Sequence, residues 1–213
     1  MRATLLILLL TLACALSGAG EQFEYDRAAV EAGEVWRLLT SHLAHWSTDQ
    51  MIWDGLAFAA LAAICAARWP KRFAIALGAS AMAIPLFVHF FMPHIATYRG
   101  LSGIDSALFA LAAVLTIADE KRAFAHGGCA LFIVLLSIGF GAKIGYEVVT
   151  GSTFFVRELA PNVIPLPLAH VVGAAAGVLS SLSWKRVGRG SPIAGRRAAL
   201  LLRPATCDPR PRS

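Results

Sequence analysis

Six apolar runs, at residues 3–20, 51–67, 73–92, 104–118, 129–146 and 166–184, constrain this chain more than any other feature. Each approaches the roughly 20 apolar residues that cross a bilayer core as a helix. The chain has 213 residues, 57% of them hydrophobic and only 15% charged, too little polar surface to cover a soluble domain of this length. The expected fold class is therefore all-α: a polytopic membrane protein whose six transmembrane helices form one bundle over residues 1–184.

The charges between the runs set an orientation. Arg68-Trp69-Pro70-Lys71-Arg72 closes the second run, and Asp119-Glu120-Lys121-Arg122 closes the fourth. Basic clusters stay cytoplasmic, so both termini are expected inside and the loop of residues 21–49 outside. That loop is acidic in its first half, with Glu21, Glu24, Asp26, Glu31 and Glu34 against Arg27 and Arg37. Its second half, from Val35 to Trp46, mixes aromatic, basic and apolar residues, as segments lying in the membrane interface do. Residues 3–20 also have the look of a cleaved signal peptide, with a faint lipoprotein signal at Leu12-Ala13-Cys14; the reading adopted is a retained first span.

The formal net charge of +6 suggests nucleic acid until the basic residues are located. Many fall in residues 185–213, beside a membrane segment, where they suit a poorly ordered cytoplasmic tail facing lipid headgroups. A nucleic-acid partner is not expected. Cys14, Cys65, Cys129 and Cys207 show no CxxC spacing and read as small hydrophobes or, for Cys207, as part of the tail.

Two strings carry chemistry. Gly100-Leu101-Ser102-Gly103 opens the fourth span, and Ala169-His170-Val171-Val172-Gly173 lies on the sixth, with Gly177 beyond it. A serine hydroxyl attacks nothing until a base takes its proton, and the imidazole of His170 is a suitable base. Gly173 and Gly177 at small-xxx-small spacing let a second helix backbone approach closely. Each string also has an ordinary reading: a serine at a helix start is often an N-cap, and a histidine in a span often snorkels to the interface. The topology puts both residues near the outer ends of their helices.

In these strings the chain resembles the rhomboid intramembrane serine proteases. That family carries GxSG at the start of its fourth core helix and His-x-x-Gly-x-x-x-Gly on its sixth, matched here by Gly100 to Gly103 and His170 to Gly177. The likeness extends to Trp36-Arg37, preceded by Glu34, and to His42-Leu43-Ala44-His45-Trp46-Ser47 before the second helix. The resemblance implies a six-helix rhomboid-like bundle and a catalytic Ser102–His170 dyad with no carboxylate. It implies oxyanion donors at the Ser102 N–H and at Gln50, with His45, Asp54, Gly100, Gly103 and Gly173 in support. The family typically has His and Asn where Gln50 and Asp54 stand, and an ionised Asp54 has no proton to donate. Many members place a Tyr where Ser106 stands, to pack on the imidazole, so something else must orient His170. Asp105 receives no role.

The string Tyr98 to Gly103 and the pair Trp53-Asp54 look more like rhombosortases, a bacterial subgroup associated with substrates bearing a C-terminal Gly-Gly sorting tail. The implied partners are a membrane-anchored protein substrate and the lipid bilayer, and the implied location is the bacterial inner membrane with the site near its outer face. No cofactor and no metal are expected. A zinc site from His42, His45, Asp49 and His94 is a rival, weakened by the lack of HExxH. A catalytically inactive rhomboid-like module that binds membrane proteins is another, and a transporter-like bundle a third.

Overall fold

The computed structural model describes residues 2–123, 127–151 and 166–182. The basic tail at 185–213, with Cys207, lies outside them. The described residues begin with α1 (Arg2–Ser17), α2 (Gly20–Phe23), β1 (Tyr25–Asp26), α3 (Arg27–Glu31) and α4 (Arg37–Thr40). There follow α5 (Thr48–Arg68), α6 (Pro70–Phe91), β2 (Thr97–Tyr98), α7 (Ser102–Ala123), α8 (Gly127–Thr150) and α9 (Pro167–Leu182). The protein is thus mostly helical, as expected, apart from one two-residue antiparallel pairing of Tyr25 with Tyr98 and Asp26 with Thr97.

Three described helices are long and apolar enough to cross a membrane: α5, α6 and residues 102–119 of α7. Two more apolar helices, residues 4–17 of α1 and the whole of α9, are shorter. Local chemistry sets their ends. The Ser47 hydroxyl accepts the Gln50 N–H at 3.1 Å and caps α5, whose first turn carries Asp49 and whose last turn carries Arg68, both favourable to the helix dipole. Pro70, at the first position of α6, lacks an N–H that the helix has no use for there.

Pro85 sits inside α6 and has no N–H to offer the Ala81 carbonyl one turn back. The His42 ring supplies the missing partner, with Nε2 at 3.0 Å from Ala81 O. At the end of the same helix the Arg27 guanidinium donates to the carbonyls of Val88 (2.9 Å), His89 (2.8 Å), Met92 (3.0 Å) and Ile95 (3.2 Å). Both residues belong to the loop of residues 21–49, which is thereby held on α6 through carbonyls at the proline break and at the helix end.

The central helix is α7, 56% of whose apolar stretch is buried, against 28% for α5 and 33% for α6. Its Leu108 and Leu111 meet Phe58 of α5 and Ile84 of α6 in the core, with Tyr25 and Leu101 closing the end at which α7 begins. Its closest neighbour is α9. A Cβ on Gly173 would collide with the Gly103 carbonyl oxygen, and one on Gly177 with that of Ala107. Both pairs advance by four residues, so α7 and α9 run parallel with their first turns side by side. The exposed apolar side chains, among them Leu5, Leu9 and Leu16 of α1 and Ile52, Leu56 and Ile64 of α5, lie on the outside of the bundle.

Gly177→Ala is expected to destabilise the bundle by about 1–3 kcal/mol, as overpacking of a tight contact does. Gly78→Ala, in α6 with open space around the new methyl, serves as the neutral comparison. Thermal unfolding in detergent micelles separates the two variants.

Candidate active site

The segment leading into α7 is clamped before it reaches the serine. Gly100 has φ 125°, a left-handed conformation that side chains disfavour. Its N–H donates to Ser41 O at 3.1 Å, and its carbonyl accepts the Tyr98 hydroxyl at 3.2 Å and faces His42 Nδ1 at the same distance. A Cβ there would fall 2.7 Å from Gln50 Nε2. Leu101 is buried in the core, so the chain turns into α7 about a fixed point and Ser102 becomes its first residue.

His170 stands on the opposing first turn of α9. Its Nε2 lies 3.1 Å from Ser102 Oγ, a hydrogen bond between residues 68 positions apart. The contacts at Gly103 and Gly173 bring the helix axes close enough for this. The structure therefore joins the two residues that the sequence singled out, and Gly100, Gly103 and Gly173 act as the spacing around them.

The expectation of a dyad lacking a carboxylate is where the geometry departs from the resemblance. Glu147, near the end of α8, brings Oε2 to 3.2 Å from His170 Nδ1. The nitrogen is within ion-pair reach, but the approach is too bent to count as a hydrogen bond. Lys143, one turn earlier, holds the same carboxylate at 2.8 Å and 3.0 Å from its two oxygens. Ser106 turns its hydroxyl back onto Ser102 O at 2.8 Å and leaves the imidazole alone. Sequence reasoning missed Glu147 because it falls just past the end of an apolar run. A Lys143–Glu147 pair at helical spacing reads as solvated charge there.

The supporting residues divide. The Gln50 carboxamide oxygen accepts the Trp46 N–H at 3.0 Å, which turns its amide nitrogen towards Gly100, two residues before the serine. Asp54 pairs with the buried His45, with Oδ2 at 3.3 Å from Nε2. Asp105 is buried, and its Oδ1 meets no hydrogen-bond partner among the described residues.

Arg99, to which the sequence reading gave no role, ties this region to the loop of residues 21–49. It donates to Glu24 at 2.7 Å and lies 4.2 Å from the centre of the Trp46 ring. Arg37 secures the same loop through Glu34 (2.6 Å) and the carbonyls of Glu21 (2.7 Å) and Glu24 (3.1 Å), while Val35, Trp36 and Leu39 remain exposed as an apolar edge. The proposed zinc ligand His42 has both ring nitrogens against carbonyls. No group of three or more His, Cys, Asp or Glu side chains converges among the described residues.

Burial takes the His42 ring below its ordinary range, and the two carbonyls, which favour the charged form, pull less strongly the other way. The unfolded chain then binds the proton first as pH falls. Stability contributed by His42 is full above the unfolded value of about 6.5 and declines below it. Unfolding measured between pH 8 and pH 5 should show this loss in the wild type. His42→Ala should flatten that component and cost about 1–3 kcal/mol at neutral pH by orphaning Ala81 O.

Comparison with known proteins finds no matching family model and no curated protein of significant similarity, so the functional reading rests on the motifs and geometry described above.

Proposed function

We propose that this protein is an intramembrane serine endopeptidase, similar to the rhomboids. The observation that carries the reading is the 3.1 Å approach of His170 Nε2 to Ser102 Oγ at the adjoining first turns of two parallel helices. In the reaction, Ser102 Oγ attacks the scissile carbonyl carbon as its proton passes to His170 Nε2. The tetrahedral intermediate collapses, the C–N bond breaks, and His170 returns the proton to the leaving amine. Water, deprotonated by the same imidazole, then hydrolyses the acyl-enzyme.

The developing oxyanion needs fixed donors, usually the largest catalytic contribution. Ser102 N–H is one, at a helix start where the first N–H groups have no acceptor of their own. Gln50 Nε2, beside Gly100, is the second. Asp54 is no donor in this scheme; it belongs with His45.

Six membrane spans complete the reading: α1, α5, α6, α7, α8 and α9. The parallel course of α7 and α9 requires a return crossing between them, which α8 supplies. The site then lies near the outer face of a bacterial inner membrane, and the apolar edge at Val35, Trp36 and Leu39 rests in the interface. The substrate class is a protein with a membrane anchor. A C-terminal Gly-Gly tail suits it, because weak helical order at a glycine pair eases unwinding into the site.

A fluorophosphonate should label the wild-type protein covalently in detergent or proteoliposomes, and Ser102→Ala and His170→Ala should each abolish labelling without altering membrane insertion. Gln50→Ala should slow turnover of a Gly-Gly-tailed reporter by about 10²-fold. Labelling that survives Ser102→Ala would remove the nucleophile from this reading, and a wild type that neither labels nor cleaves would favour the inactive binding module.

A further inference from the structure

The scheme above leaves one buried ionised group beside the base unused. Glu147 has only 2% of its side chain exposed, and His170 has 12%. A Lys–Glu pair at helical spacing on a membrane helix would ordinarily extend its charges towards water. Here the carboxylate turns inward, between the Lys143 ammonium and the ring nitrogen of His170 that points away from Ser102.

The orientation of that ring needs an agent. A histidine ring turns about two side-chain bonds, and the hydroxyl of Ser106 is committed to the Ser102 carbonyl rather than to the ring. A carboxylate at Nδ1 selects the tautomer with its proton on Nδ1, which leaves Nε2 free to accept from the serine. Its negative charge also favours the imidazolium formed when Nε2 takes that proton. Of the other ionisable groups on the surrounding helices, His89 of α6 hydrogen-bonds Tyr25 at 3.0 Å, and Asp105 of α7 is buried three residues beyond Ser102.

We propose that Glu147 is a positioning residue of this site, its carboxylate held by Lys143 and fixing His170 with Nε2 towards Ser102. The proposal rests on the reading of Ser102 and His170 as nucleophile and base. Throughout turnover Nδ1 keeps its proton and Glu147 stays ionised; the only proton that moves passes from Ser102 Oγ to Nε2 and on to the leaving group. The bent resting contact straightens as the site closes on substrate, as catalytic hydrogen bonds commonly do.

The test is the pH dependence of the labelling rate by a fluorophosphonate, measured with purified full-length protein. Glu147→Gln should lower the maximal rate of inactivation by about 10²–10⁴-fold with little change in probe affinity, and Glu147→Asp should recover part of the loss. The acid limb of the profile should move to lower pH in Glu147→Gln, where the imidazolium loses its anion. It should move to higher pH in Lys143→Gln, where a competing cation is gone. A purely structural role predicts no such opposed displacement. A Glu147→Gln rate within about threefold of wild type, or a lost rate with an unmoved acid limb, overturns the proposal. If Glu147→Gln does not fold, an unmoved limb in Lys143→Gln overturns it. Labelling retained in Ser102→Ala strikes the protease reading itself, so the two failures are distinguishable.

Discussion

The backbone contact between α7 and α9 is the constraint on which the remaining geometry depends. Glycine at 173 and 177 removes the side chains that would hold the helices apart, and the carbonyls of Gly103 and Ala107 fill the space. Apolar side chains gain little by meeting one another in a surrounding that is itself apolar, so close packing of this kind must supply the cohesion. It also sets the distance over which a serine hydroxyl and an imidazole on separate helices can share a proton. A helix pair packs at about 8–10 Å between axes, the larger separations being set by bulkier side chains at the contact. A short hydroxyl on a pair so separated would not meet a ring across the gap.

Backbone carbonyls explain how the loop of residues 21–49 is fastened. Pro85 frees the Ala81 carbonyl inside α6, and the carbonyls at the end of that helix have acceptor capacity to spare, Val88 O already taking the Met92 N–H. His42 answers the first and Arg27 the second, so two loop residues are bound by groups that would otherwise be costly in an apolar setting. His42 then touches Gly100, and Tyr98 does the same from the strand paired with Tyr25. The loop thus locates the turn from which Ser102 emerges, and the proline break in α6 is linked to that turn through one histidine.

Much of this was legible in the sequence, for physical reasons that differ from place to place. The apolar runs at 51–67, 73–92 and 104–118 became α5, α6 and α7, each longer than its run, because polar residues such as Thr48, Asp49 and Arg68 of α5 belong to a helix without being apolar. Ser102 and His170 could be paired because small residues flank both. Asp54 could not be understood from its own string; its partner His45 lies on the preceding loop, and only the start of α5 brings them together. Arg99 was hidden by its neighbours, since a cation stacked on Trp46 leaves no spacing signal. Glu147 is the most instructive omission. A charge at the edge of an apolar run is a topology marker by default, and nothing local distinguishes one that faces lipid headgroups from one that faces a histidine.

The charge balance around His170 follows from that last point. A lone carboxylate buried beside the ring would carry a heavy desolvation cost and would drive the ring more strongly towards its protonated form. Lys143 neutralises the carboxylate at both oxygens and so removes most of that drive. What remains is directional: the ring meets an oxygen of the pair at 3.2 Å, with the ammonium held on the carboxylate. In the reaction proposed for this site, the imidazolium formed at His170 is favoured by the nearby carboxylate, and the ammonium moderates that preference. In an apolar surrounding, where fields are weakly screened, a three-membered arrangement of Lys143, Glu147 and His170 favours it with less bias than a carboxylate alone.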